Sequence, residues 1–457
     1  MKKTLSLLLF VACTYTGYGQ ETDSSMVNKI YSEILNNSKA YDWLRSLCFD
    51  VGHRLSGSSG AEKAVVFTEK IFKEAGADSV WLQEVMVPHW VRGDKEVGVI
   101  IDSKNTSQNV PTLALGRSVA TPEAGIKADV IEVYDFDELK KLGEEKIKGK
   151  IVFFNHPFNQ SYINTFAAYS EAGKYRWSAP SEAARYGAVA TICRSMTNVE
   201  DDFPHTGAMG YNDSLPKIPC AAISTNAANL LSKIIKADSK TQFFLKMNCA
   251  TLDSVLSYNV IAEMRGSEFP DEFISVGGHL DSWDVGHGAH DDGAGVMQGI
   301  EIIRTFKAIN IKPKRTIRVV AWMNEENGVM GGKVYADEAL RKVEKHIAAI
   351  ESDAGASMPY GFGLDMEAAK QEKVKSWASL FRRYNVWNFD YEHGGTDIGP
   401  LQKHLNTPLI GLVVESQRYF DYHHAASDTF DKINKRELDL GAAAMGAMVY
   451  LLCQYGL

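Results

Sequence analysis

Apolar and polar positions fall into two regimes along this chain. From residue 259 onward, compact apolar runs at 259–266, 273–276, 316–323, 346–351 and 408–414 are rich in Val and Ile and bounded by Gly or charged residues. That is the pattern of strands covered on both faces. Between the runs, apolar residues recur at helical spacing. Val296, Ile300 and Ile303 share one stripe, residues 332–342 make a second helix, and Val374, Trp377, Leu380 and Phe381 mark a third. An amphipathic run at 436–455 closes the chain. Strand alternating with helix predicts an α/β fold, a mixed and mostly parallel sheet sandwiched by helices.

Between 88 and 256 the pattern shifts to short strands and turns. Strand-like runs lie at 149–155, 187–193 and 218–224, with helical stretches at 180–186 and 227–235. This segment reads as a β-rich domain inserted into the first. Ahead of it come helices at 26–35 and 41–48, a turn at 53–60, a helix at 61–75 with Phe67, Ile71 and Ala75 on one stripe, and a strand at 79–87. The expected division is a leader at 1–20, the first part of the main domain at 21–87, the insert at 88–256 and the rest of the main domain at 257–457.

Residues 1–20 carry two lysines, an apolar stretch from Leu5 to Ala12, then small and polar residues. This is the layout of a secretory signal peptide, too short to span a bilayer, with cleavage expected near Gly19 or Gln20. A secreted or periplasmic protein is expected; a lipid anchor on Cys13 is the alternative. No later segment reads as a membrane span. Cys48, Cys193, Cys220, Cys249 and Cys453 form no CxxC pair. Either a bridge among the middle three or buried free thiols fits them. The 457 residues are 45 % hydrophobic and 23 % charged, which excludes disorder or a fibre and leaves room for a sizeable core. A net charge of -8 without a long basic run argues against nucleic acid or an anionic membrane as partner, and for a small substrate.

Candidate chemistry sits just beyond the predicted strands. His279 and Asp281 follow the run at 273–276, and Asp291 and Asp292 open the next helix. Glu325 and Glu326 follow the run at 316–323, Asp353 follows the run at 346–351, and His423 and His424 come after the last strand. In open parallel sheets, ligands bind at the carboxyl ends of strands because the loops converge there. Two imidazoles with several carboxylates and no thiolate suit zinc in a catalytic role. A pair of such ions, about 3.5 to 4 Å apart, needs a shared carboxylate, for which Asp291 is the candidate. Of the adjacent Glu325 and Glu326, one would bind metal and the other would move a proton. His156, His205, Asp201 and Asp202 in the insert read as solvated loop residues.

The segments GHLDSWD, ESDAG and HHAASDT resemble, in order, motifs of the co-catalytic zinc exopeptidases, the family of bacterial leucyl aminopeptidases and glutamate carboxypeptidases, and most closely its carboxypeptidase Q branch. The resemblance runs from about Tyr41 to the C-terminus, and the insert resembles the family's protease-associated domain. It implies two Zn²⁺ per chain, held by His279, Asp291 as bridge, Glu326, Asp353 and His424. Glu325 would be the general base, Asp281 would orient His279, and His423 would donate to the oxyanion where other branches place a Tyr. It implies an exopeptidase acting on dipeptides or the ends of short peptides, and a homodimer. A broad aminopeptidase, a non-catalytic binding protein and a glutaminyl cyclase on the same fold are the competing readings. Asp428 is either a carboxylate behind the ligands or a helix cap. His287 and His290 either touch substrate or metal, or are loop residues without a role. Thr396 and Asp397 either bind a peptide terminus or form a turn.

Overall fold

Alternate residues of the predicted strands point to two different cores. In the computed structural model, which describes residues 22–457, eight strands form one mixed sheet. Their order is Ser79–Val91, Ala250–Met264, Arg315–Trp322, Phe269–His279, Lys345–Glu351, Leu409–Val414, Pro359–Asp365 and Asn388–Tyr391. The central four, from Arg315–Trp322 to Leu409–Val414, run parallel, and their immediate neighbours run antiparallel. Ile317, Val319 and Ala321 face one core with Ala348 and Ile350; Val320, Trp322 and Ala349 face the other. The first face is covered by helices Asp23–Asn37, Ser59–Glu74, Ala294–Ala308 and Lys435–Tyr455, the second by Met330–Arg341 and Gly399–Leu405. A sheet wrapped on both faces explains why its strands read as unbroken apolar runs.

One sequence expectation is corrected here. Helix Lys435–Tyr455 is, by length and composition, apolar enough to cross a membrane. It serves instead as a core helix, 89 % buried over its most apolar stretch, against helices Asp23–Asn37 and Ala294–Ala308. A helix surrounded by protein needs apolar residues all round, which is the same composition a lipid environment selects. The expected leader and Cys13 lie outside the described residues. Cys48, Cys193, Cys220, Cys249 and Cys453 are buried and unbridged.

A second eight-stranded sheet is built from strands between Val97 and Lys246. The chain leaves and rejoins the first sheet along one antiparallel ribbon, with Val91 opposite Ala250, so the strand predicted at 79–87 runs on to Val91. Four of the second sheet's strands, Ile126–Val133, Ile151–Phe154, Ala190–Arg194 and Cys220–Ile223, are parallel. Helices Phe136–Ile147 and Thr165–Trp177, absent from the sequence reading, lie among them. The two sheets are tied by Arg92, whose guanidinium makes a bidentate pair with Asp284 at 2.6 and 2.8 Å. Trp90 and Trp283, edge-on to each other, both enter the core of the second sheet, and Thr165 donates to the Ser416 carbonyl. These ties set loops of the second sheet over the carboxyl ends of the first.

Candidate metal centre

Four adjacent parallel strands end at one place, and each delivers a ligand-type side chain. His279 is the last residue of Phe269–His279. Glu325 and Glu326 follow Arg315–Trp322, Asp353 follows Lys345–Glu351, and His423 and His424 follow Leu409–Val414 through a short helix, Tyr419–Tyr422. Asp291 arrives on an irregular turn, Ala289–Gly293, that leads into helix Ala294–Ala308. Its neighbour Asp292 has a different task, accepting the N–H groups of His279 and Gly295 at 3.0 Å. Gly278 allows this approach: a Cβ there would lie 2.1 Å from Asp292 Oδ2. The Gly277–Gly278 pair lies within strand Phe269–His279 and makes room for this contact.

The five expected metal ligands come together. His279 Nε2 lies 3.1 Å from Asp291 Oδ1 and 3.5 Å from Asp353 Oδ1. His424 Nε2 lies 3.3 Å from Asp291 Oδ2 and 3.0 Å from Glu326 Oε2. Asp291 is thus shared between two groups, with one oxygen turned to each imidazole. His423 also falls within reach of the second group, its Nε2 3.6 Å from Asp291 Oδ2 and its ring stacked on His424 at 3.5 Å.

Tautomers follow from the partners of the other ring nitrogens. His279 Nδ1 faces the Asp281 carbonyl at 3.0 Å, and His424 Nδ1 faces the Thr206 carbonyl at 3.3 Å. A carbonyl only accepts, so each Nδ1 carries a proton, and a cation at the centre would meet the Nε2 lone pair of each neutral ring. Burial draws both imidazoles down, yet the surrounding carboxylates outweigh it and hold both well above the usual histidine range. A cation among those carboxylates would reverse that balance. Asp291 Oδ2 and Glu326 Oε1 are buried without a hydrogen-bond partner. Buried carboxylate oxygens without a donor are costly unless a cation joins them, so the donor set fits zinc.

Asp281 orients His279, but through its backbone. Its carboxylate is 3.8 Å from the ring and accepts instead from the N–H groups of Asn324 and Glu325, at 2.6 and 3.0 Å. It thereby fixes the turn that presents Glu325. The Glu325 carboxylate lines a cavity of about 600 Å³ beside the centre. Burial, then the Asp353 and Glu326 carboxylates, push its carboxyl well up; burial and Asp291 push Glu326 up to about 7. His423 lines the same cavity, held well below the usual histidine range by burial and by His424.

Asp428 sits behind the ligands, its carboxylate taking the N–H groups of His290 and Asp291 at 2.9 and 3.1 Å. His287 and His290 do not line the cavity; their Nδ1 atoms accept from the N–H groups of Phe430 and Ala356 and staple loops. Thr396 lines the cavity, whereas Asp397 is turned inward and fully buried. His205 is not solvated, as the sequence suggested, but only 3 % exposed, in the field of the His423–His424 pair. Sequence reasoning missed Tyr169, Arg176 and Tyr419 in the cavity wall. It also missed the fully buried Arg54, which donates to the carbonyls of Leu280, His287 and Gly288.

Carboxylates and imidazoles at the ends of parallel strands, beside a roomy cavity and a free glutamate, define a metal-dependent hydrolase. The comparisons narrow the class. Residues 259–449 match the model of peptidase family M28. Carboxypeptidase Q of Homo sapiens is 34 % identical over 423 residues, 93 % of this chain and 86 % of that protein. The crystal structure of a peptidase M28 precursor from Shewanella amazonensis superposes with a TM-score of 0.90 at 33 % identity, covering 94 % of this chain and 96 % of that one. A zinc aminopeptidase from Bacillus subtilis, 19 % identical, shares the fold at a TM-score of 0.64 over 90 % of this chain and 94 % of its own. The chain belongs to peptidase family M28 and is a metallopeptidase.

Proposed function

We propose that this protein is an exported, two-zinc exopeptidase of the carboxypeptidase Q type, cleaving dipeptides or the terminal residue of short peptides. The observation that carries the reading is Asp291, one oxygen toward His279 and the other toward His424, with Glu325 free beside it. His279, Asp291 and Asp353 would hold one ion, and Asp291, Glu326 and His424 the other. Zinc bound there supplies a Lewis acid that makes water acidic near neutral pH and polarises a peptide carbonyl. Glu325 takes the proton of the attacking water and returns it to the leaving amine. Its crowded, half-buried position suits that exchange, because a carboxyl with a raised pKa both accepts and gives back a proton near neutrality. His423, neutral through burial, donates its remaining N–H to the oxyanion. The cavity admits a short peptide.

We propose that the insert expected at 88–256, trimmed to the segment between Val91 and Ala250 by the ribbon that joins it to the first sheet, is a domain whose loops roof the cavity, that residues 1–20 are the export signal, and that the assembled form is a homodimer. The deciding experiment measures zinc content and hydrolysis of free, N-blocked and C-blocked dipeptides. Two zinc ions per chain are expected, with cleavage of free dipeptides. Glu325→Gln should keep both ions and lose about 10³-fold in kcat. Full activity in that variant, or one ion per chain, would refute the assignment.

A further inference from the structure

The cavity beside the metal centre holds basic groups for which the mechanism has no use. Arg117, Arg176 and Lys333 line it, and among the described residues none of them is paired with a carboxylate. Arg176 is the most firmly placed. It projects from helix Thr165–Trp177 of the second sheet, its Nη2 donating to the Tyr169 hydroxyl at 2.8 Å and its Nη1 to the Thr206 carbonyl at 3.4 Å. The Tyr169 ring supports its guanidinium at 5.3 Å. Its Nε is buried with no hydrogen-bond partner. Gly207 lets this cation approach the centre, since a Cβ there would lie 2.3 Å from Arg176 Nη1 and 2.8 Å from His424 Nδ1. A guanidinium held in place at the cavity wall, with its Nε unpartnered, is set to receive an anion.

We propose that Arg176 is the specificity residue that binds the free α-carboxylate of the substrate, so that the residue released is the last of the chain. The proposal rests on the peptidase reading above. A carboxylate is the one anion every unblocked peptide carries, and the planar guanidinium matches it in a two-point hydrogen bond. Lodged beside His424, that anchor sets the scissile carbonyl one residue away, over the centre. A purely structural Arg176, pinning Tyr169 to Thr206, would treat acid and amide substrates alike.

The test uses the zinc-loaded full-length enzyme, a panel of unblocked dipeptides and the C-terminal amides of the same dipeptides. Wild type should favour each acid over its amide by about 100-fold in kcat/KM, the scale of a lost charge-assisted pair. Arg176→Met should lower kcat/KM on the acids by a similar factor and leave the amides unchanged, while Arg176→Lys keeps part of the preference. Equal cleavage of acid and amide by wild type overturns the proposal without any variant, and so does an Arg176→Met enzyme of unchanged melting temperature that loses both activities equally. If wild type cleaves neither series, the peptidase reading falls and this one with it.

Discussion

Asp291 meets three demands at once, and the structure shows how each is satisfied. Its two oxygens address His279 and His424, while its N–H is fixed by Asp428. Asp428 holds the adjacent N–H of His290 as well, so the turn cannot rotate without breaking two buried hydrogen bonds. The neighbouring Asp292 could not substitute, because its oxygens are already committed to backbone donors. His423 is the residue on which the mechanism is most exposed to test. Its Nε2 faces the same cavity as Glu325, and its stacking on His424 holds the ring in one orientation. His423→Phe keeps the stack and removes the donor, and should cost about 2 to 3 kcal/mol of transition-state stabilisation with little change in KM. Steady-state kinetics on a good dipeptide decides it; an unchanged kcat would remove the oxyanion role.

At the scale of elements, the carboxyl ends of the sheet carry chemistry and the amino ends carry stability. Arg318 clamps the amino ends, donating from Nε to Glu263 at 2.9 Å and from Nη1 to Glu344 at 2.8 Å, with His346 Nε2 also at 3.0 Å from Glu344. Burial raises the Glu344 carboxyl, but these donors more than reverse it, from 4.5 to about 2. A carboxyl whose pKa is lower folded than unfolded stabilises the fold above its unfolded value, and that contribution is lost as pH falls toward the folded one. Glu344→Gln should therefore cost about 2 kcal/mol at neutral pH. The gap between variant and wild type in urea denaturation should narrow between pH 4.5 and about 2; a constant gap would show that Glu344 is not ionised in the clamp. The strands that make this sheet were legible because residues such as Ile317, Val319 and Val320 are apolar on both faces. The candidate ligands His279, Glu326 and Asp353 were legible because each lies at a strand end or within a few residues of one, and Asp291 and His424 because they fall in the loops that follow such ends. Arg54 was not. Three of its acceptors are the backbone carbonyls of Leu280, His287 and Gly288, more than two hundred residues away, and carbonyls leave no signature in a sequence.

For the molecule as a whole, the centre is completed by both sheets. Thr206 fixes the tautomer of His424, and Arg176, Tyr169 and Ala208 wall the cavity, all from the second sheet's segment. Along the chain, His156, His205, Asp201 and Asp202 of that segment read as solvated loop residues, because His205 and Arg176 gain meaning only against residues some two hundred positions later. The register between the sheets depends on the pair of Arg92 and Asp284, both largely buried. Asp284→Asn should lower stability by about 3 kcal/mol, since it leaves a buried guanidinium half-paired. It should also raise KM more than it lowers kcat, because the cavity wall shifts while the first sheet's ligands stay in place. Equal KM values for the two enzymes would show that the wall does not depend on this pair.

Gly116, on the second sheet's side, is packed so tightly that a Cβ would fall 1.9 Å from the Trp283 ring, and that ring lies edge-on to His424 at 5.7 Å. The indole acts as a key in a slot cut by one absent methyl. Gly116→Ala would turn that key against His424 and should weaken zinc retention about tenfold in a chelator competition, although position 116 offers no atom to the ion. A drift in composition at a place with no reactive group would then disarm the enzyme as surely as the loss of a ligand.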